Sequence, residues 1–109
     1  METFVLNGKG IGEQIVEGKV QRMPSLRPFA EGNILVTTMT TPDMIREMIA
    51  AKAIVTEIGG MTCHAALVAR ELGKPCVIGC ERATALSNGQ WVKVDGRAGT
   101  VVTVDVKGA

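Results

Sequence analysis

Residues 53–78 have the sequence AIVTEIGGMTCHAALVARELGKPCVI and contain one strand–helix–strand unit. Apolar and β-branched residues predict a strand over Ala53–Ile58, which ends at two glycines. A helix is predicted from about Thr62 to Leu72; it stops at Gly73, and a proline follows as a second stop signal. Cys76–Ile78 predicts the next strand. A helix between two such strands indicates parallel pairing with a right-handed crossover.

The same alternation extends toward the N-terminus. Ile34–Val36, with two threonines after it, predicts another strand. Thr41-Pro42-Asp43 then predicts a helix start, because it offers a capping hydroxyl, a proline at the first helical position and an acid in the first turn. Four apolar residues at helical spacing predict one buried stripe on this helix: Met44, Ile45, Met48 and Ile49.

The flanking segments predict further strands. Ile15–Val20 indicates an irregular strand, and the two prolines of the segment 23–28 indicate a loop. Ala83–Leu86 predicts a helical turn, while Trp91–Val94 and Thr100–Val106 predict two strands joined by a glycine-containing hairpin loop. We therefore expect an α/β fold with a mixed central sheet, crossover helices and a β-rich flank.

Length and composition set the limits on function. The chain has 109 residues, of which 46% are hydrophobic and 21% charged, and we expect one domain covering residues 1–109. A net charge of +1 and an aromatic content of 3% argue against nucleic-acid binding and against an anionic membrane surface. We see no apolar run of membrane-spanning length and no signal-peptide pattern, so a cytoplasmic protein is expected.

The three cysteines are an odd number, which argues against a disulfide framework and for a reducing compartment. The spacing of Cys63, Cys76 and Cys80 does not match a zinc site, so no metal is expected. Cys76 and Cys80 are interpreted as buried small hydrophobic residues, and no catalytic role is predicted for Cys63. A small metal or redox module remains an alternative that metal analysis of the pure protein would test.

The N-terminal run Gly8-Lys9-Gly10-Ile11-Gly12 resembles a phosphate-binding loop only superficially. Residue 13 is Glu, where the dinucleotide fingerprint needs glycine, and no Gly-Lys-Ser/Thr ends the run. The run is therefore interpreted as a flexible turn.

The main candidate for a functional residue is the single histidine of the chain, His64. It follows Gly59-Gly60 and lies at the start of the predicted helix. The glycines let the backbone turn sharply and approach a ligand closely. The first turn of a helix offers unpaired N–H groups and a positive potential that favours phosphate and disfavours imidazolium. A neutral imidazole beside such a helix start suits covalent phosphoryl transfer. A surface or core-edge histidine is the alternative interpretation.

The segment from Ile54 to Pro75, together with Thr40–Asp43, Ala83-Thr84 and Asp95-Gly96, closely resembles the swivelling phosphohistidine domain of phosphoenolpyruvate-utilising enzymes. The order Thr-Cys-His with Arg-Glu-Leu-Gly after it is most similar to phosphoenolpyruvate synthase, whereas Met61 is more similar to the pyruvate phosphate dikinases. The resemblance implies a single β/β/α domain.

The resemblance also implies roles for individual residues. By the resemblance, His64 would be the phosphorylated catalytic residue. From their place at the turn and helix start, Gly59, Gly60, Thr62 and Cys63 are expected to support the phosphate. Thr62 matches a threonine that some members phosphorylate as an off-switch, since a second phosphate would repel the first; it is also a candidate helix N-cap. From helix geometry alone, Arg70 lies about 240° around the helix from His64, so a salt bridge or a partner contact is expected for it, with direct phosphate binding as the alternative.

The partners implied by the resemblance are a nucleotide-binding kinase domain and a barrel domain that binds pyruvate or phosphoenolpyruvate, in cis or in trans. Magnesium and ATP are expected on those modules, and no cofactor is expected on this one. The isolated domain is not expected to turn over alone. A non-catalytic docking or regulatory module of the same fold is the alternative.

Overall fold

A computed structural model describes residues 3–104 of the chain. Two α-helices, α1 (Ile45–Ala50) and α2 (His64–Leu72), and two single 3₁₀ turns, Pro42–Met44 and Ala83–Ala85, accompany the strands. The strands are β1 (Val5–Asn7), β2 (Lys9–Ile11), β3 (Ile15–Arg22), β4 (Ile34–Thr37), β5 (Ala53–Thr56), β6 (Cys76–Ile78), β7 (Trp91–Asp95) and β8 (Thr100–Thr103). Residues 105 and 106 of the predicted last strand lie outside the described residues.

The strands lie in the order β1-β8-β7-β3-β4-β5-β6-β2. Strands β3, β4, β5 and β6 pair in parallel, and the remaining pairs are antiparallel. The predicted mixed sheet with a β-rich flank is thus confirmed. Strand β3 is a regular eight-residue strand that joins the two halves: residues 15–19 pair with β7 and residues 20–22 with β4.

Both faces of the parallel strands are buried, which is why their sequences are continuously apolar. In β4, Ile34 and Val36 pack against the antiparallel strands, whereas Leu35 packs against the helices. In β5, Val55 likewise packs against the antiparallel strands, and Ile54 packs against the helices. The molecule is therefore a β/β/α sandwich with two cores, and one face of the parallel strands carries α1 and α2.

The predicted apolar stripe on the first helix is only partly correct. Met48 is fully buried and Met44 is half-buried, but Ile45 and Ile49 are 40% and 56% exposed. The reason is that Pro42–Met44 forms a 3₁₀ turn with about three residues per turn, so the helical phase changes where α1 begins. The Lys74 ammonium caps the other end of α1 by donating to the carbonyls of Met48, Ile49 and Ala51.

The interpretation of the N-terminal glycine run as a flexible turn is wrong. Lys9–Ile11 forms β2 and pairs with β6, while Gly8 N–H donates to Gly99 O over 2.8 Å. A Cβ on Gly10 would lie 2.1 Å from Gly96 O, and one on Gly99 would lie 2.6 Å from Gly8 O. Backbones at this distance leave no room for a side chain. We call these four residues, Gly8, Gly10, Gly96 and Gly99, the glycine crossing.

The two ends of the described chain lie together. Strand β1 pairs with β8, and Phe4 N–H donates to the Thr103 hydroxyl over 2.9 Å while Thr103 N–H donates to Phe4 O over 3.0 Å. Gly8 then carries the chain from β1 at one end of the strand order to β2 at the other.

Candidate functional site

The loop between β5 and α2, residues 57–63, is anchored at its beginning by two side chains. The Thr56 hydroxyl donates to Ile58 O over 3.0 Å. The Glu57 carboxylate accepts hydrogen bonds from the Thr84 hydroxyl and from Thr84 N–H, the latter over 2.9 Å. The Thr84 hydroxyl, followed by its N–H, lowers the pKa of Glu57 below the usual 4.5. The loop is thus attached to the 3₁₀ turn before β7.

The two glycines of this loop differ in their surroundings. Gly59 has φ +136°, and a Cβ there would lie 2.9 Å from Cys63 Sγ. Gly60 is exposed and has no atom within 4 Å of the position of an added Cβ. Cys63 N–H donates to Gly60 O over 3.0 Å and so closes the turn that leads into α2.

His64 is the first residue of α2, which begins two residues later than predicted. Cys63 is the N-cap in extended conformation and makes no side-chain capping bond. Thr62 is exposed and lies before the cap, so the interpretation of Thr62 as the N-cap is wrong. The helix ends as predicted, at Gly73 in the left-handed conformation, and its N–H bonds back to Ala69 and Arg70 carbonyls.

The imidazole of His64 has a side-chain partner, Thr40, that was not predicted from the sequence. Thr40 Oγ1 lies 2.8 Å from His64 Nδ1, and Thr40 is only 6% exposed. Both groups line a cavity of about 130 Å³, together with Met39, Ile58 and Cys63. A signal was present: Thr40 follows β4, whose carboxyl end lies beside that of β5, and the side chains after neighbouring parallel strands meet there.

The guanidinium of Arg70 reaches back to the loop. Its Nη1 donates to Met61 O over 2.7 Å, although Arg70 is six residues further along α2 than His64. The segment before His64 therefore folds back along the helix. The predicted partner contact of Arg70 stays a prediction.

The cysteines lie in different surroundings. Cys76 is buried in the core between the sheet and the helices, and Cys80 is buried in the core between the strands. Burial raises the pKa of Cys76 to about 12 and that of Cys80 to about 11, so both thiols are neutral at pH 7. The interpretation of both as buried hydrophobic residues is confirmed. Within residues 3–104, no three His, Cys, Asp or Glu side chains converge on a common point.

Neither helix in the described part of the chain has the length and the apolar character that a membrane span requires.

Fold and sequence together define a class of protein. The family described as "PEP-utilising enzyme, mobile domain" matches residues 29–99, more than half of the chain. The chain belongs to this family, and the match includes β4, β5, α2 and His64.

Phosphoenolpyruvate synthases are among the relatives that this chain resembles. The probable phosphoenolpyruvate synthase of Archaeoglobus fulgidus is 52% identical over 90% of this chain and 14% of its own length. The phosphoenolpyruvate synthase of Pyrococcus furiosus is 48% identical over 94% of this chain and 13% of its own length. The chain thus spans about a seventh of the length of these relatives.

Solved structures share the fold. An NMR structure of Enzyme I superposes with a TM-score of 0.59 at 28% identity, over 71% of this chain and 32% of that one. Aconitase X of Thermococcus kodakaraensis superposes with a TM-score of 0.67 at 20% identity, over 93% of this chain and 98% of that one. At that identity the second likeness concerns the fold alone.

Proposed function

We propose that this domain is a phosphoryl carrier whose His64 accepts a phosphoryl group from one module of a phosphoenolpyruvate synthase-like enzyme and donates it to another. The observation that carries the proposal is the 2.8 Å contact between Thr40 Oγ1 and His64 Nδ1. It occupies one ring nitrogen and leaves Nε2 as the nucleophile.

The Thr40 hydroxyl can bond to Nδ1 both in the neutral imidazole and in the phosphorylated ring. In neutral His64, the proton sits on Nδ1 and is donated to the Thr40 hydroxyl, so the lone pair is on Nε2. Nε2 attacks phosphorus, a P–N bond forms, and the P–O bond to the donor's leaving oxygen breaks with its electron pair. If the phosphorylated ring later loses its Nδ1 proton, the same hydroxyl donates to Nδ1, because a hydroxyl is both donor and acceptor.

The environment of Nε2 supports an anion. α2 has nine residues, and its first N–H groups are unpaired by the geometry of a helix start. Gly59 and Gly60 carry no side chains, so the backbone at these two positions of the loop is open to a ligand. We assign supporting roles around the phosphate to these glycines, to Thr62 and to Cys63, and a second phosphate on exposed Thr62 would repel the first.

The partners in this proposal are a nucleotide-binding kinase domain and a domain that binds pyruvate or phosphoenolpyruvate, and those modules carry ATP and magnesium. The names of the relatives and the seventh of their length that this chain spans support it. Each transfer would require His64 to reach a different module.

The test is intact-mass analysis of the wild type and of His64→Ala after incubation with ATP, phosphoenolpyruvate, magnesium and an extract of the source cells. We expect one phosphoryl adduct on the wild type that is lost in mild acid and is missing from the alanine variant. A wild type that stays unlabelled, while a known carrier in the same extract is labelled, contradicts the proposal and favours a docking module. An acid-stable adduct on both proteins points to Thr62 instead.

Thr40→Val tests the role of the hydroxyl. Valine keeps the volume but removes the partner of Nδ1, so we expect phosphorylation of His64 to slow by about tenfold, the loss of one hydrogen bond. Phosphoramidate labelling followed by ³¹P and ¹⁵N NMR should place the phosphate on Nε2 in the wild type. Phosphate on Nδ1 in the wild type would contradict the assignment of the nucleophile.

A further inference from the structure

The hydrogen bond between Arg70 and Met61 has no obvious structural purpose. It joins an exposed side chain to an exposed loop residue, over 2.7 Å, and neither Arg70 nor Met61 belongs to either core. It is also a bond from a charged donor, which is stronger than one between neutral groups.

The loop around Met61 has few other restraints. Gly60 next to it has open space around its Cα, and the one backbone bond that closes the turn runs from Cys63 N–H to Gly60 O. Arg70 is the side chain that fixes the peptide between Met61 and Thr62.

A planar trans peptide points its carbonyl and its N–H in opposite directions. Because Arg70 holds the Met61 carbonyl on its own side, the N–H of Thr62 points away from Arg70. Within the described residues, that N–H donates to no acceptor. It lies two residues before His64, at the end of the helix that attracts an anion.

We propose that Arg70 is a positioning residue, which orients the Met61–Thr62 peptide so that Thr62 N–H donates to the phosphoryl group on His64. This inference rests on the proposed function and assigns to Arg70 a task other than the predicted partner contact. In this mechanism Arg70 itself makes no contact with the phosphate.

The experiment compares Arg70→Met, which keeps the length of the side chain, with Arg70→Lys, which keeps a charged donor, and with Arg97→Met, an exposed control on the β7–β8 loop. Each protein is labelled with phosphoramidate, and ¹H–¹⁵N spectra are recorded before and after labelling. We expect a downfield shift of the Thr62 amide in the wild type, in Arg97→Met and in Arg70→Lys, and loss of that shift in Arg70→Met.

The rate of labelling by cell extract is measured in parallel. Arg70→Met should be slower by about tenfold, and Arg70→Lys should recover most of the loss. An unchanged Thr62 shift in Arg70→Met overturns the positioning role, and so does a Thr62 amide that fails to move in the labelled wild type. Failure of the carrier function is recognised separately, because wild-type His64 would then take no phosphate from the extract at all.

Discussion

The molecule uses glycine in two places for opposite purposes. At the glycine crossing, a Cβ on Gly10 would lie 2.1 Å from Gly96 O, and one on Gly99 would lie 2.6 Å from Gly8 O. A Cβ on Gly8 would lie 2.4 Å from Ile78 O, and one on Gly96 would lie 2.4 Å from Ile11 O. In the β5–α2 loop, Gly60 faces open space. The first set is required by packing inside the fold, whereas the second leaves a surface uncovered beside His64. The same residue type therefore predicts a structural or a functional role only once its neighbours are known.

The largest effect is expected at the crossing. Gly10→Ala places a Cβ 2.1 Å from Gly96 O, and both backbones are held by their strands and turn. We expect a loss of at least about 3 kcal/mol in the free energy of unfolding, the upper range for overpacking. Urea denaturation measures it, with Lys9→Ala on the same strand as the exposed control. A loss of unfolding free energy no larger than that of Lys9→Ala would show that the two backbones can move apart without destabilising the protein.

Gly59→Ala should have an intermediate effect. A φ of +136° is strained for any residue with a side chain, and the new Cβ would meet Cys63 Sγ at 2.9 Å. We expect a loss of about 1–3 kcal/mol. The double variant Gly59→Ala/Cys63→Ala separates the two causes. It should regain the free energy of unfolding lost to the clash with Sγ, but not the part lost to backbone strain. Full recovery would mean that the backbone strain is absent.

Glu57→Gln tests the anchor of the loop. The pKa of Glu57 is lowered in the folded state, so the pair with Thr84 stabilises the protein above the usual Glu pKa of 4.5 and loses this effect as the pH falls through the lowered value. At pH 7 we expect the variant to melt about 4 °C lower, the effect of one hydrogen-bonded pair. Acidification to pH 3 should reduce this difference in melting temperature between the wild type and Glu57→Gln. A gap that widens on acidification would contradict the assignment.

Gly60→Ala should have the smallest effect on stability. With no atom near the added Cβ, the free energy of unfolding is expected to change by no more than about 0.5 kcal/mol. Labelling by cell extract should be slowed more than labelling by phosphoramidate, because in the proposed function the methyl group would lie on the face that a donor protein approaches. Equal slowing with both donors would place the effect on His64 itself.

Much of this architecture could be predicted from local sequence. The strand–helix–strand units follow from apolar periodicity, and α2 ends where Gly73 predicts it. The start of α2 was misplaced because Thr62 looks like a cap in sequence, yet the cap position falls on Cys63. Thr40 and the glycine crossing were missed for another reason: their partners are 24 or more residues distant, and periodicity carries no information about such pairs.

The pairing of Phe4 with Thr103 has a consequence for a longer polypeptide. Chain that continues from both of these residues would enter and leave the domain at one place. If the domain moves as the proposed carrier function requires, two connections at one place would act as a single hinge, and no strand would have to unpair. The β1–β8 pair would then bear the mechanical load of that movement, because the two connections are attached to these strands.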